Sequence, residues 1–372
     1  MVKNLAIIGA SYLQLPLIKK AQEMGFCTHV FAWAANDVGE READFFYPIS
    51  ITEKDEILQK CQEIGICGIC SIASDLAVIT VNYVANSLGL PCNSLESTII
   101  CTNKHQMRLA FEKHGDPSPK SILVNSNTDL SKLTIVYPAI VKPTDRSGSR
   151  GICKLYSSDE LENAVKSAIQ KSIENKALIE EYVEGKEYSV EYISYQGKHT
   201  FLAITEKYTT GAPHFIETGH REPAPVSKEV EEKIRDVVEH ALSSLMIKNG
   251  ASHSEIKIDN EGTIKIIEIG ARMGGDCIGS DLVRYSTGFD FVKMVIQVAC
   301  GESPDFTKVC SPMAVESIFI FNQKDLDELN TIKRERPDDI LQIVDMHPEK
   351  IGHTTDSSNR AGCYIRKAEI GK

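Results

Sequence analysis

The sequence predicts an α/β domain followed by an α+β region, on three observations. Over the first 95 or so residues, short buried strands alternate with amphipathic helices, the pattern of a parallel sheet with helical crossovers. Beyond the turn-forming segment "HGDPSP" (114–119), short strands come in hairpins and are separated by long helices. The chain has 372 residues, of which 42% are hydrophobic and 25% charged. That length gives a prior of roughly two to three domains with substantial cores.

Residues 4–10 ("NLAIIGA") read as a buried strand broken at Gly9, and 13–24 carry apolar positions at helical spacing. A second strand covers 26–33, then a helix 53–64, a strand 66–72 and a helix 75–88 before Gly89. Thr102 or Asn103 can cap a helix running to about Lys113. Strands follow near 120–124 and 137–142, then a glycine-containing loop and a helix at 158–174. Strands at 177–182, 187–195 and 198–207 precede a helix at 227–246, strands at 251–259 and 263–270, and helices near 277–285 and 289–300. Residues 303–372 read as a smaller closing segment of strands and one helix.

The net charge of −11 disfavours a broad grip on nucleic acid or anionic lipid, so any polyanion must be held by a local basic site. No run of about 18 apolar residues occurs, which argues against a membrane span. Eleven cysteines scattered through apolar runs read as reduced, and the expected location is cytoplasmic. Cys67 and Cys70 form a CxxC inside an apolar strand with no second pair at zinc spacing, so packing is the expectation there. "GASYLQL" keeps only Gly9 of a dinucleotide fingerprint, which speaks against a nicotinamide oxidoreductase.

Three segments carry chemistry. In "PAIVKPTDRSGSRGI" (138–152), Lys142 ends a buried strand before a loop holding Arg146, Ser147, Gly148, Ser149, Arg150 and Gly151. Such a loop can offer backbone N–H groups and cations to phosphate oxygens, although alone it reads equally as a solvated hairpin. In "ALIEEYVEGKEYSVEYI" (177–193), Glu187 and Glu191 share a strand face. In "ASHSEIKIDNEGTIKIIEIGARMGGD" (251–276), Glu255 and Glu268 sit on consecutive strands. A two- or four-residue turn sets 255 opposite 266 and makes the two glutamates diagonal neighbours at roughly 7 to 8 Å; a three-residue turn would put them on opposite faces. Facing carboxylates can bridge Mg²⁺, and Arg272 with the Gly274 and Gly275 amides can hold a phosphate or carboxylate. His214, in a Gly/Pro-rich loop, reads as surface.

Together these elements resemble the ATP-grasp superfamily of carboxylate–amine ligases, in its amino-acid ligase and biotin-carboxylase-like branches, over roughly residues 1–300. The resemblance implies a Rossmann-like N-terminal domain (1–95), a linker helix (96–117), an ATP-grasp small lobe with the glycine loop (118–185), a large lobe with the metal site (186–302) and the closing segment (303–372). It implies ATP and Mg²⁺, or Mn²⁺, as cofactors. "CTNKHQMR" looks like the helix entry whose lysine, here Lys104, reaches an ATP phosphate, and Lys142 in "VKP" like the second phosphate lysine. The loop 145–151 resembles the one that closes over the phosphates through Arg146, Ser147, Gly148, Ser149 and Gly151. "EEYVEGKE" is similar to the hinge that meets adenine through Glu180, Glu181 and Val183, with Glu187 on the ribose. "SEIKI" and "EIGAR" resemble the strands bearing the metal ligands Glu255 and Glu268, with Arg272 on the transferring phosphoryl or the substrate.

The implied reaction phosphorylates a small carboxylic acid, an amino acid among the candidates, to an acyl phosphate and joins it to an amine, releasing ADP and phosphate. A bicarbonate-dependent carboxylase acting through carboxyphosphate, or a catalytically weak ATP-binding regulatory protein, are the alternatives. The last is motivated by Gly270, which stands where many members carry a metal-binding Asn. Small carboxylate and amine substrates are the implied partners, without nucleic acid or membrane, and the resemblance makes a homodimer plausible.

Overall fold

The computed structural model describes residues 3–146, 148, 150–211, 216–352 and 360–368, and its strands form three sheets. The N-terminal part runs β1 (Lys3–Ile8), α1 (Leu15–Glu23), β2 (Phe26–Phe31), α2 (Val38–Glu42), β3 (Phe45–Tyr47), α3 (Lys54–Ile64), β4 (Gly68–Cys70) and α4 (Asp75–Leu88). Its four strands are parallel in the order β3-β2-β1-β4. β1 is buried from Leu5 to Ile8, because a parallel sheet is covered by helices on both faces. The alternation expected over this region is present; α2 and β3 are too short to show a periodicity and were not predicted.

α5 (Leu95–Thr102) and α6 (Lys104–His114) follow, two helices where the resemblance implies a single linker helix over 96–117. Asn103 caps α6, its side chain accepting from the N–H groups of His105 and Gln106. β5 (Ser121–Asn125), β6 (Ala139–Pro143), β7 (Cys153–Leu155), α7 (Leu161–Lys171) and β8 (Lys176–Glu181) then build a small antiparallel lobe, strand order β5-β8-β6-β7. α7 buries Leu161, Ala164, Val165 and Ala168, an i, i+3, i+4, i+7 stripe, against Val141 and Ile179 of that sheet.

The remaining elements are β9 (Lys186–Tyr195), β10 (Lys198–Thr209), β11 (Glu217–Glu222), α8 (Lys228–Ser244), β12 (Gly250–Ile258), β13 (Ile264–Gly270), α9 (Val283–Thr287), α10 (Phe291–Ala299), β14 (Val315–Phe319), α11 (Gln323–Glu335), β15 (Ile340–Val344) and β16 (Cys363–Lys367). Their strands form one eight-stranded sheet, β13-β12-β9-β10-β11-β14-β16-β15. The C-terminal strands thus continue the large sheet, through β11, which the sequence reading had missed. The single helix expected at 277–285 is instead a π-helical turn, Ile278–Leu282, followed by α9, entered through Asp276 and Cys277 at positive φ. α10 packs its Phe291, Met294, Val295 and Val298 into the N-terminal core beside Leu5 and Ile69. The N-terminal domain and the large lobe therefore share one hydrophobic core, which fixes their relative placement.

All eleven cysteines are free. Two arginines of the C-terminal segment are engaged: Arg360 is buried, bonds Asp276 at 2.5 Å and stacks on Phe319, and Arg366 pairs with Glu316. Among the described residues, no helix is long and apolar enough to cross a membrane.

Candidate active site

A cleft of roughly 1050 Å³, its open mouth included, lies between the small and large lobes, with α4 and α6 at one end. Its walls include Lys104, Lys142, Arg146, Gly148, Glu180, Glu181, Val183, Glu187, Glu255, Glu268 and Arg272. Ser147 and Ser149 lie outside the described residues, as does His214. Gly151 flanks the loop at φ +81°, where an L side chain is strained.

Glu255 and Glu268 are direct cross-strand partners rather than the diagonal neighbours expected. β12 and β13 pair Ile258 with Ile264 across a five-residue turn, an odd length that by itself would send the two carboxylates to opposite faces. A bulge restores the match. Between the pairs Glu255–Glu268 and Ile256–Ile266, β13 carries one extra residue, Ile267. Its carbonyl accepts a 2.6 Å bond from Arg108 Nη2. Directly opposed Cβ atoms lie roughly 5 Å apart, close enough for two carboxylates to share hard cations.

Each glutamate faces a lysine. Lys104, the first residue of α6, places Nζ 2.6 Å from Glu268 Oε1 and also donates to the Arg146 carbonyl at 2.9 Å. Lys207 on β10 lies 2.6 Å from Glu255, 3.1 Å from Glu187 and 3.7 Å from Glu217. Burial disfavours its charge, but these carboxylates outweigh burial and hold the ammonium well above lysine's ordinary pKa. Glu255 is correspondingly held well below the usual carboxylate range against its burial, by Lys207 and then by His253, whose Nε2 is 3.6 Å away. His253 Nδ1 contacts Glu191, which also accepts the Gly274 N–H at 3.2 Å. Burial works against the imidazolium, yet Glu191 raises its pKa to about 9.

Glu180, Lys142 and Arg108 form a second buried unit. The Glu180 carboxylate accepts from Arg108 at 2.9 and 3.3 Å and lies 2.6 Å from Lys142 Nζ. Glu180 therefore stands beside the Lys142 ammonium rather than out on the hinge. Burial lowers the Lys142 pKa, only partly offset by Glu180. At the hinge, the N–H groups of Glu181 and Tyr182 bond the Lys120 and Pro138 carbonyls, and the Val183 carbonyl accepts from Lys257. Gly185 makes the bend at φ +120°; a Cβ there would lie 2.2 Å from the Ile258 carbonyl oxygen. Arg272 is gripped by Asp75 of α4 through bonds of 2.8 and 3.1 Å.

Sequence reading missed Lys207, Glu217, His253 and Asp75. The one local signal was Lys207 itself, a lysine at the end of the apolar strand "FLAITEK". The donor set fits Mg²⁺: two opposed carboxylates open to the cleft, with cations around them for phosphates. Among the described residues, no group of three or more His, Cys, Asp or Glu side chains is arranged to hold a metal ion by itself. That suits an ion that takes one or two carboxylates and completes its shell with phosphate and water.

Residues 135–281 match the ATP-grasp domain family. The chain superposes on an L-amino acid ligase from Bacillus licheniformis with a TM-score of 0.82 at 24% identity, covering 99% of this chain and 94% of that one. It is 24% identical over 343 residues to alanine–anticapsin ligase of Bacillus subtilis, covering 82% of this chain and 72% of that protein. It is 23% identical over 334 residues to carnosine synthase 1 of Mus musculus, covering 81% of this chain but only 40% of the length of that relative. Residues 135–281 are thus an ATP-grasp domain, set within a fold that the chain shares with the L-amino acid ligase.

Proposed function

We propose that the chain is an ATP- and Mg²⁺-dependent ligase that activates a small carboxylic acid, an amino acid in the first instance, and joins it to an amine. The observation that carries this reading is the opposed Glu255–Glu268 pair, with Lys104 on one carboxylate and Lys207 on the other, at one end of a cleft that continues to the hinge. The named relatives that make carbon–nitrogen bonds from amino acids agree with it.

In this reading the adenine lies against the hinge at Glu181 and Val183, and Glu187 meets the ribose. Lys104 and Lys142 turn to the phosphates, and Arg272 holds the transferring phosphoryl or the carboxylate substrate. A carboxylate oxygen attacks the γ-phosphorus, the β–γ bridging bond breaks, and ADP leaves with the electron pair. The amine then attacks the acyl carbon of the resulting acyl phosphate, phosphate departs, and the amine's proton is lost to solvent or base. Mg²⁺ held by Glu255 and Glu268 would neutralise charge on the phosphates. The chain's own work is charge compensation and alignment, and exclusion of water from the acyl phosphate on the side of Arg146 and Gly148.

The test is ADP release from ATP and Mg²⁺ across the twenty amino acids, singly and in pairs, with bicarbonate as a separate arm. Release that requires an amino acid supports the proposal. Bicarbonate-dependent release would reassign the chain to carboxylation, and silence in every arm with ATP bound would make it a nucleotide-binding protein.

A further inference from the structure

We propose that Asp75 is a positioning residue for Arg272, and that Gly270 is what makes room for their ion pair; only the role given to Arg272 rests on the ligase reading above. Three observations meet here. First, Asp75, the opening residue of α4, reaches from the N-terminal domain to the loop after β13 and takes Arg272 bidentately, Nε to Oδ1 at 2.8 Å and Nη2 to Oδ2 at 3.1 Å. Second, a Cβ at position 270 would sit 2.9 Å from Asp75 Oδ1 and 3.1 Å from Arg272 Nε, so a side chain there has to displace the carboxylate or the guanidinium of the pair. The space an asparagine would need at that position is filled by the Asp75 carboxylate. Third, the turn that presents Asp75 is pinned to the same loop. Ala73 adopts φ +58°, an uncommon conformation for a residue with a Cβ, and its N–H donates to the Met273 carbonyl at 3.2 Å. Arg272 Nη1 donates to that same carbonyl at 3.3 Å.

The consequence is a guanidinium whose plane is set by two domains at once. Arginine carries a flexible stem, and a cleft cation free to swing would lose entropy each time it met an anion. Here Nε, one Nη2 hydrogen and one Nη1 hydrogen are already committed. The group therefore meets the cleft it lines with a fixed edge, the kind of preorganised cation that phosphoryl transfer rewards. The pair is also electrostatically secure. Burial raises the Asp75 pKa, but the charge and bonds of Arg272 overcome that and keep it below the usual aspartate value. Gly270 thus reads as a replacement of one side chain by another from a different domain. Restoring the asparagine should damage the site.

The experiment uses the full chain and needs no knowledge of the substrate. Calorimetry gives the Kd for MgADP and the further gain on adding fluoroaluminate, a mimic of the transferring phosphoryl, with melting temperature recorded for each variant. For Asp75→Asn the expected result is an MgADP Kd within about twofold of the parent and a fluoroaluminate gain reduced about tenfold or more. Asp75→Glu should recover part of that gain. Gly270→Asn should lose the gain as well, and Gly270→Asn combined with Asp75→Ser should be no worse than Asp75→Ser alone, because the two positions compete for one space. An unchanged gain in Asp75→Asn, or a Gly270→Asn chain that behaves as the parent, overturns the inference. So does a parallel loss of melting temperature, MgADP binding and gain, which would mark a purely structural role. A parent chain that binds no MgADP sinks the ligase reading and this inference with it, whereas a parent that binds and gains while Asp75→Asn does the same sinks the inference alone.

Discussion

Replacing Glu180 by alanine should destabilise the protein by about 3–5 kcal/mol, the range for removing one partner of a buried ion pair. The side chains of Glu180, Arg108 and Lys142 are 3%, 3% and 5% exposed, so water cannot take over the lost contacts. At about 3 Å and an effective dielectric near 20, one unit-charge pair contributes ~5 kcal/mol. Glu180 makes two such approaches, to Arg108 and to Lys142. Lys142, whose pKa burial already lowers, can escape by shedding its proton; Arg108 cannot, and would keep only the Ile267 carbonyl. That asymmetry holds the cost near one stranded charge rather than two. Urea unfolding of the full chain, followed by far-ultraviolet circular dichroism, measures it. Lys142→Met is the control, since it leaves the Arg108–Glu180 pair intact: its stability should fall within about 1 kcal/mol of the parent while its ATP requirement rises steeply. A Glu180→Ala chain within about 1 kcal/mol of the parent would refute the claim that the triad is a closed, dry charge cluster.

Three further outcomes are expected. Glu268→Gln should lower turnover by several orders of magnitude and weaken Mg²⁺ dependence with little change in melting temperature, because it keeps the shape while losing the charge; near-normal activity would remove Glu268 from the site. Glu222 is buried, accepts from Thr205 at 2.6 Å and from Ser286, and burial raises its carboxyl to about 8. The folded chain therefore keeps a proton that the unfolded chain releases from about pH 4.5 upward, so this stability is complete below 4.5 and lost as pH rises through 8; Glu222→Gln should flatten that slope in melting curves, and an unaltered slope would count against the shift. Gly185→Ala combines positive φ with a collision against backbone, and should cost more than about 2 kcal/mol by urea unfolding; a neutral result would mean that the bend relaxes freely.

What the sequence disclosed was what local pattern encodes. Asn103 announces α6 and so places Lys104, the apolar run ahead of Lys142 marks its strand, and Glu255 and Glu268 are visible as acids on neighbouring strands. What it could not disclose depends on register and on distant chain. The facing of the two glutamates follows from a bulge at Ile267, not from turn length, and no hydrophobic pattern signals that extra residue. Lys207 meets Glu255 across 48 residues and Asp75 meets Arg272 across 197, contacts that exist only once β9 lies between β10 and β12 and α4 has docked. Glu180 shows the same limit: its place in "EEYVEG" suggests the hinge, yet its alternation along β8 turns it inward to Arg108 and Lys142.

The lysines resting on Glu255 and Glu268 have a thermodynamic consequence for how ligands load. A divalent ion arriving alone must evict Lys104 and Lys207 from those carboxylates, leaving Lys104 with the Arg146 carbonyl and Lys207 with Glu187 and Glu217 only. A free nucleotide would draw Lys104 away and strand the Glu268 carboxylate instead. Ion and nucleotide entering together let every charge exchange one partner for another, so each should raise the affinity for the other by the same factor. In kinetic terms, the resting protein is an interlock: neither key turns it alone, and titrating Mg²⁺ at fixed ADP should tighten nucleotide binding as strongly as ADP tightens the ion.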